Sequence, residues 1–202
     1  NKFQKNVVID TKAQSFPLRL CIFIVKENMT TQTNSPAQTG FSIHPATLLG
    51  YVSLTAANLD NQILFYTQAL GFKLHWREGN KACLGAGNVD LLRLTEESNL
   101  KKYRGVTGLY HVAYLFPNRR ELAIAMARLF AIKYPNSPTD HILTKTTYLD
   151  DHEGNGIELY CESPEDGTWT FRDGKFESYR KDGSWSDGRD HFSGQWGCNQ
   201  RC

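Results

Sequence analysis

The sequence predicts an α+β fold of two tandem βαβββ modules, whose curved mixed sheets form a shared cleft. Three observations predict it. Apolar periodicity passes from strand to helix to three strands, and does so twice. Each helix opens on an asparagine suited to capping, Asn58 and Asn118. Tyr51 and His111 each precede their cap by seven residues, so they take equivalent places in a repeat of roughly sixty.

The first module opens with a strand over Leu48–Ala56. Leu59, Ile63, Tyr66 and Leu70 then recur at helical spacing, and Gly71 closes the helix. Phe72–Trp76, Ala82–Leu84 and Val89–Leu94 read as strands, separated by turns at Glu78-Gly79-Asn80 and at Gly87-Asn88. The second copy begins with a strand over Leu109–Leu115. Its helix carries Glu121 three residues after the Asn118 cap and an apolar stripe of Leu122, Met126 and Leu129. A short strand is expected near Ala131–Lys133, a loop with two prolines over Tyr134–Pro138, and strands over Ile142–Leu149 and Ile157–Tyr160.

Four segments follow from this reading. Residues 1–46 form an irregular N-terminal extension, 47–100 the first module, 101–162 the second, and 163–202 a tail rich in aromatics, Gly and Asp. The chain starts at Asn1, and the polar run after Met29 reads as a natural start, so residues 1–28 are expected to lie outside the fold. The competing reading is a packed strand made by Leu20–Val25. The six aromatics Trp169, Phe171, Phe176, Tyr179, Trp185 and Trp196 are too many for an ordinary disordered tail.

A net charge of +2, with basic and acidic residues interleaved, argues against a nucleic-acid or anionic-membrane surface. The apolar run Leu18–Val25 is too short to span a bilayer. Five scattered cysteines with no C-x-x-C pair argue against a disulfide framework and for a reducing cytoplasm.

His111 and Glu158 carry the candidate chemistry. Strand alternation puts His111 on a face with Ala113 and Leu115, and Glu158 on a face with Gly156 and Tyr160. An imidazole and a carboxylate, each on a strand face and separated by one helix and two or three strands, suit half of a zinc, iron or manganese site. The plainer readings are a core histidine satisfied by the backbone and an edge-strand glutamate in water. His152, Asp150 and Asp151 read as turn residues, and His44, His75 and His191 have no constellation around them.

Leu59, Phe65-Tyr66 and Leu70-Gly71-Phe72 in the first module, with Gly108-Leu109-Tyr110-His111, Asp140-His141 and Gly154-Asn155-Gly156-Ile157-Glu158-Leu159-Tyr160 in the second, resemble the vicinal oxygen chelate superfamily. That superfamily comprises glyoxalases, extradiol ring-cleaving dioxygenases and bleomycin-resistance proteins. The resemblance covers about residues 47–172 and is strongest to the N-terminal half of catechol 2,3-dioxygenase-like proteins. It implies a catechol-cleaving site with His111 and Glu158 as ligands of Fe(II), or of Mn(II) or Zn(II). It also implies catalytic roles for His141 and Tyr148, and substrate contacts from Tyr51, His141 and Tyr160.

Tyr51 departs from the pattern, because a further histidine ligand is expected at its place. The chain is therefore read as half of a ring-cleaving enzyme with an incomplete metal site. The alternatives are a metal-free small-molecule binder of the bleomycin-resistance type and a glyoxalase-type lyase. A small aromatic ligand and a homodimer are the expected partners.

Overall fold

The structure, a computed structural model, describes residues 20–24, 44, 47, 50–97, 99–100, 108–172, 175–186 and 190–191. Strand β1 is Leu20–Ile24. The first module is β2 (Val52–Ala56), α1 (Leu59–Gln68), β3 (Lys73–Glu78), β4 (Lys81–Ala86) and β5 (Val89–Glu96). The second is β6 (Leu109–Leu115), α2 (Arg119–Ala131), β7 (Ser137–Asp140), β8 (Thr144–Asp150) and β9 (Gly156–Glu162). After a short 3₁₀ turn come β10 (Gly167–Arg172), β11 (Lys175–Arg180), β12 (Trp185–Ser186) and β13 (Asp190–His191).

Both modules build the same mixed sheet. In the first the order is β2-β5-β4-β3, and in the second β6-β9-β8-β7. The first and last strands of each module pair in parallel and the other pairs run antiparallel. A parallel pair requires a crossover, and the helix supplies it.

Period-two alternation sends Val52, Leu54, Leu92 and Leu94 of one sheet, and Val112, Tyr114, Ile157 and Leu159 of the other, into one hydrophobic core with Leu59, Phe65, Leu122 and Leu129 of the helices. The residues between them, including Tyr51, Arg93, His111 and Glu158, take the opposite faces.

Both helix caps form as expected. Asn58 Oδ1 accepts from the Asn61 amide at 2.8 Å, and Asn118 Oδ1 from the Glu121 amide at 3.0 Å. The second module also caps the first module's helix. Glu153 Oε1, from the β8–β9 turn, accepts from the amides of Ala57 and Asn58 at 2.7 and 3.0 Å. Its negative charge sits where the helix dipole is positive. The Tyr66 hydroxyl donates to Asp151 Oδ2 at 3.2 Å, a second tie between the modules.

Several expectations need correction. Leu20–Ile24 is not irregular: β1 adds in parallel to the outer edge of β6, as the competing reading had it. Residues 131–133 form no strand, because α2 runs to Ala131 and a turn follows; the strand lies later, at Ser137–Asp140. The strand expected from Ile142 begins at Thr144. Ile142 itself is buried at φ 65, a left-handed conformation that a β-strand excludes. Beyond Ser163 the described residues are ordered into the sheet β10-β11-β12, while β13 extends the second module's sheet beyond β7. Trp196 lies outside the described residues, as do most of residues 1–46.

Candidate metal centre

The register of β6 against β9 sets the site. Val112 pairs with Ile157 and Ala113 with Glu158, so His111 and Glu158 stand on the same, non-core face. His111 Nε2 and Glu158 Oε2 are 2.9 Å apart, and both residues are 7 % exposed. β9 lies between β6 and β8, so Glu158 is not an edge-strand glutamate facing water.

The second carboxylate oxygen is held from β8. Glu158 Oε1 accepts from the Tyr148 hydroxyl at 3.0 Å and from Thr146 Oγ1 at 3.1 Å. Tyr148 is the antiparallel partner of Glu158 in the β8–β9 ladder. His141 Nε2 lies 3.0 Å from the same hydroxyl. Since that hydroxyl gives its proton to Glu158, its oxygen accepts from the imidazole N–H. The result is a directed chain: His141 to Tyr148 to Glu158.

A tight turn presents His141. Asp140 Oδ1 accepts from the Ile142 amide at 2.8 Å and from Lys145 Nζ at 2.5 Å, and the His141 amide reaches Thr144 O at 3.0 Å. Burial, and then the charge of Glu158, push the Tyr148 phenol well up, so it remains a proton donor. The Tyr160 phenol is pushed up to about 12, by burial first and then by the charges of Glu158 and Glu162.

One atom in this network lacks a hydrogen bond. His111 Nε2 is buried and makes none, although Glu158 Oε2 is near. The two atoms approach without lining up as donor and acceptor. A buried polar atom in that state is costly unless something else occupies its lone pair. A neutral imidazole nitrogen and a carboxylate oxygen are the donor set of a zinc, iron or manganese site. The residues therefore fit a divalent metal.

A cleft of about 610 Å³ opens beside His111. His111 and Tyr148 contribute to its wall with Tyr110, Tyr134, Asn136 and Gly156. The structure thus brings together His111, Glu158, Tyr148 and His141, with Tyr160 on the same strand face as Glu158. Tyr51 is not among them. It lies buried in the first module, where Arg93 NH1 donates to its hydroxyl at 2.7 Å.

Thr146 was absent from the expected set; its signal was strand alternation with Tyr148, which put both hydroxyls toward the β9 carboxylate. His152 is the expected turn residue and is exposed, although its ring lies 5.1 Å from that of Phe65. Asp151 is the expected turn residue, buried, with Oδ1 accepting from the amides of Glu153 and Asn155. The expectation that His75 has no constellation is wrong: Asp90 and Cys83 surround it. No helix among the described residues is long and apolar enough to cross a membrane.

The sequence model of the Glyoxalase/Bleomycin resistance protein/Dioxygenase superfamily matches residues 48–159. A protein of Bacillus subtilis (strain 168) named catechol-2,3-dioxygenase is 39 % identical over 131 residues, which are 63 % of this chain and 46 % of that protein. The chain thus spans about half the length of that relative. Among solved structures, a lactoylglutathione lyase from Agrobacterium tumefaciens gives a TM-score of 0.48 at 19 % identity, over 58 % of this chain and 96 % of that one. A fosfomycin resistance protein from Listeria monocytogenes gives 0.45 at 15 %, over 59 % and 96 %.

Proposed function

Because this chain belongs to the Glyoxalase/Bleomycin resistance protein/Dioxygenase superfamily, we propose that it carries the metal-binding portion of an extradiol ring-cleaving dioxygenase for a catechol-type substrate. One observation carries the reading: the buried, unbonded Nε2 of His111 lies 2.9 Å from Glu158 Oε2. The B. subtilis relative supports the reaction class. His111 and Glu158 hold the metal, Fe(II) first, with Mn(II) or Zn(II) as lesser fits. When bound, that ion supplies Lewis-acid stabilisation of adjacent anionic oxygens and open positions for ligands.

The chain's own residues do the rest. Thr146 and Tyr148 fix one oxygen of Glu158 and leave the other to face His111. His141 and Tyr148 form a proton path ending at that carboxylate, suited to taking up or returning a catechol hydroxyl proton. The aromatic walls of the cleft, Tyr110 and Tyr134, suit a planar ring. This reading makes the protein a cytoplasmic enzyme whose ligand is a small aromatic. A second copy, or a further part of a longer chain, adds the remaining metal ligand.

The test is anaerobic reconstitution with Fe(II), followed by metal analysis and an assay for coloured ring-fission product from catechol. Metal retention that depends on His111, together with product, is expected. No metal above background defeats the proposal.

The Tyr51–Arg93 pair favours a second reading, a metal-free binder of small molecules. Tyr51 takes the place equivalent to His111 and is fully engaged by a cation. Catechol binding that persists unchanged in His111→Ala, without metal, would select that reading.

A further inference from the structure

The polar face of the first module's sheet carries its own cluster. His75 comes from β3, Cys83 from β4 and Asp90 from β5, three adjacent strands. One ligand atom from each lies within 4.8 Å of the others. We propose that His75, Cys83 and Asp90 form a binding site for a thiophilic divalent cation of the zinc class.

Three observations carry this. The first is the surroundings of the imidazole. His75 Nδ1 lies 2.7 Å from Asp90 Oδ1, and Nε2 lies 3.2 Å from the Gly87 carbonyl oxygen. Both ring nitrogens thus face acceptors, and a neutral imidazole has only one hydrogen. With that hydrogen on Nε2, either a second proton or a metal cation lies between Nδ1 and the carboxylate. A histidine that ligates through one nitrogen and donates to a backbone carbonyl through the other is a recurrent metal-site arrangement.

The second is the backbone. The β3–β4 register shifts between Leu74 and Trp76, at His75, and the β4–β5 register shifts between Leu84 and Gly85. Bulges re-aim side chains, and here two of them turn neighbouring strands toward one point. The third is Gly85. A Cβ there would lie 2.8 Å from His75 Cε1 and 1.9 Å from Val89 O. The absent side chain is what admits the imidazole.

The donors match the cation. Nitrogen, sulfur and carboxylate oxygen suit zinc, and the thiol selects against magnesium and calcium. Cys83 is fully buried. Arg93 NH2 holds Asp90 Oδ2 at 3.3 Å and leaves Oδ1 to the imidazole. Replacing the proton between His75 and Asp90 and the thiol proton with one divalent ion leaves the charge of the cluster unchanged.

The test is a Co(II) titration of the metal-stripped full chain, read by the thiolate-to-cobalt charge-transfer absorption in the near ultraviolet. The titration is run in the His111→Ala/Glu158→Ala background, so the site proposed above cannot contribute. A saturable band near one equivalent is expected, competed away by Zn(II) and lost in Cys83→Ala. If Cys83→Ala fails to fold by circular dichroism, His75→Gln keeps the sulfur and is expected to weaken binding at least tenfold. A band that survives in the folded Cys83 variant, unchanged affinity in the folded His75 variant, or no band at all overturns the proposal; the last outcome leaves a proton as the shared cation.

Discussion

Arg93 NH1 donates a 2.7 Å hydrogen bond to the Tyr51 hydroxyl, across the strand pair equivalent to the one that brings Glu158 to His111. The registers show the equivalence. Val52 pairs with Leu92 and Ser53 with Arg93, as Val112 pairs with Ile157 and Ala113 with Glu158. Cys83 opposes Arg93 where Tyr148 opposes Glu158. The repeat has therefore kept the positions and inverted the charge. A guanidinium stacked 3.7 Å from the Tyr51 ring centroid stands where the second module has a carboxylate.

Tyr51→Phe leaves Arg93 without its hydroxyl acceptor in a half-buried position. The expected cost is about 1.5–3 kcal/mol in urea unfolding, typical of a lost hydrogen bond to a charged group. Metal affinity at His111 is expected to stay at the parent value. A parallel fall in that affinity would show that the two faces are one site.

Glu158→Gln keeps the shape of the side chain and removes its charge. Metal affinity, measured by competition with a chelator, is expected to drop by more than about a hundredfold, beyond what supporting residues around a metal usually contribute. His111→Ala gives a loss of the same order. Retention of metal by both single variants contradicts the assignment.

Tyr148→Phe interrupts the path from His141 to Glu158 without emptying the strand position. Ring cleavage is expected to slow by about 10²- to 10⁴-fold, the usual reach of positioned proton transfer, while metal content holds. His141→Gln is expected to behave alike. Loss of metal in either variant would make the residue a support for Glu158 and remove it from the chemistry.

Gly156→Ala tests the approach of β9 to β6. Its Cβ would lie 2.4 Å from Tyr110 O and 3.2 Å from His111 Cβ. Relief of that clash moves the strand carrying His111. A stability loss of about 1–3 kcal/mol is expected, as for other overpacked sites, together with weaker metal binding. A variant as stable as the parent would show that the two strands have room to separate.

Asp166 gives a pH-dependent prediction. Burial pushes its carboxyl up, but hydrogen bonds from Arg119 and Lys145, and their charges, outweigh burial and hold it below the usual range. Arg119 NH2 and Lys145 Nζ each lie 2.6 Å from Asp166 Oδ2. A depressed folded pKa contributes stability that is complete above the unfolded value and lost as pH falls through the folded one. Asp166→Asn is expected to cost up to about 1 kcal/mol near neutrality, given the partial exposure of the pair. The difference is expected to vanish in acid, below the folded pKa. A constant difference across that range would mean the loss is one of packing.

The sequence by itself determined the repeat, both helix caps, the order of elements along each module and the strand faces that His111 and Glu158 occupy. Those features are local, or are fixed by period two and 3.6, which survive whatever the rest of the chain does. It could not place β1, because an apolar run carries no information about which edge it joins. It missed the break at Ile142, where a buried β-branched residue takes a conformation its type disfavours and the surrounding packing overrides propensity. It also missed the cluster around His75. Three residues on three strands meet only because two bulges shift the register, and Gly85 leaves space that no linear spacing encodes. Side-chain direction along a strand is written in the sequence; which side chains from different strands share a point is settled when the strands pair.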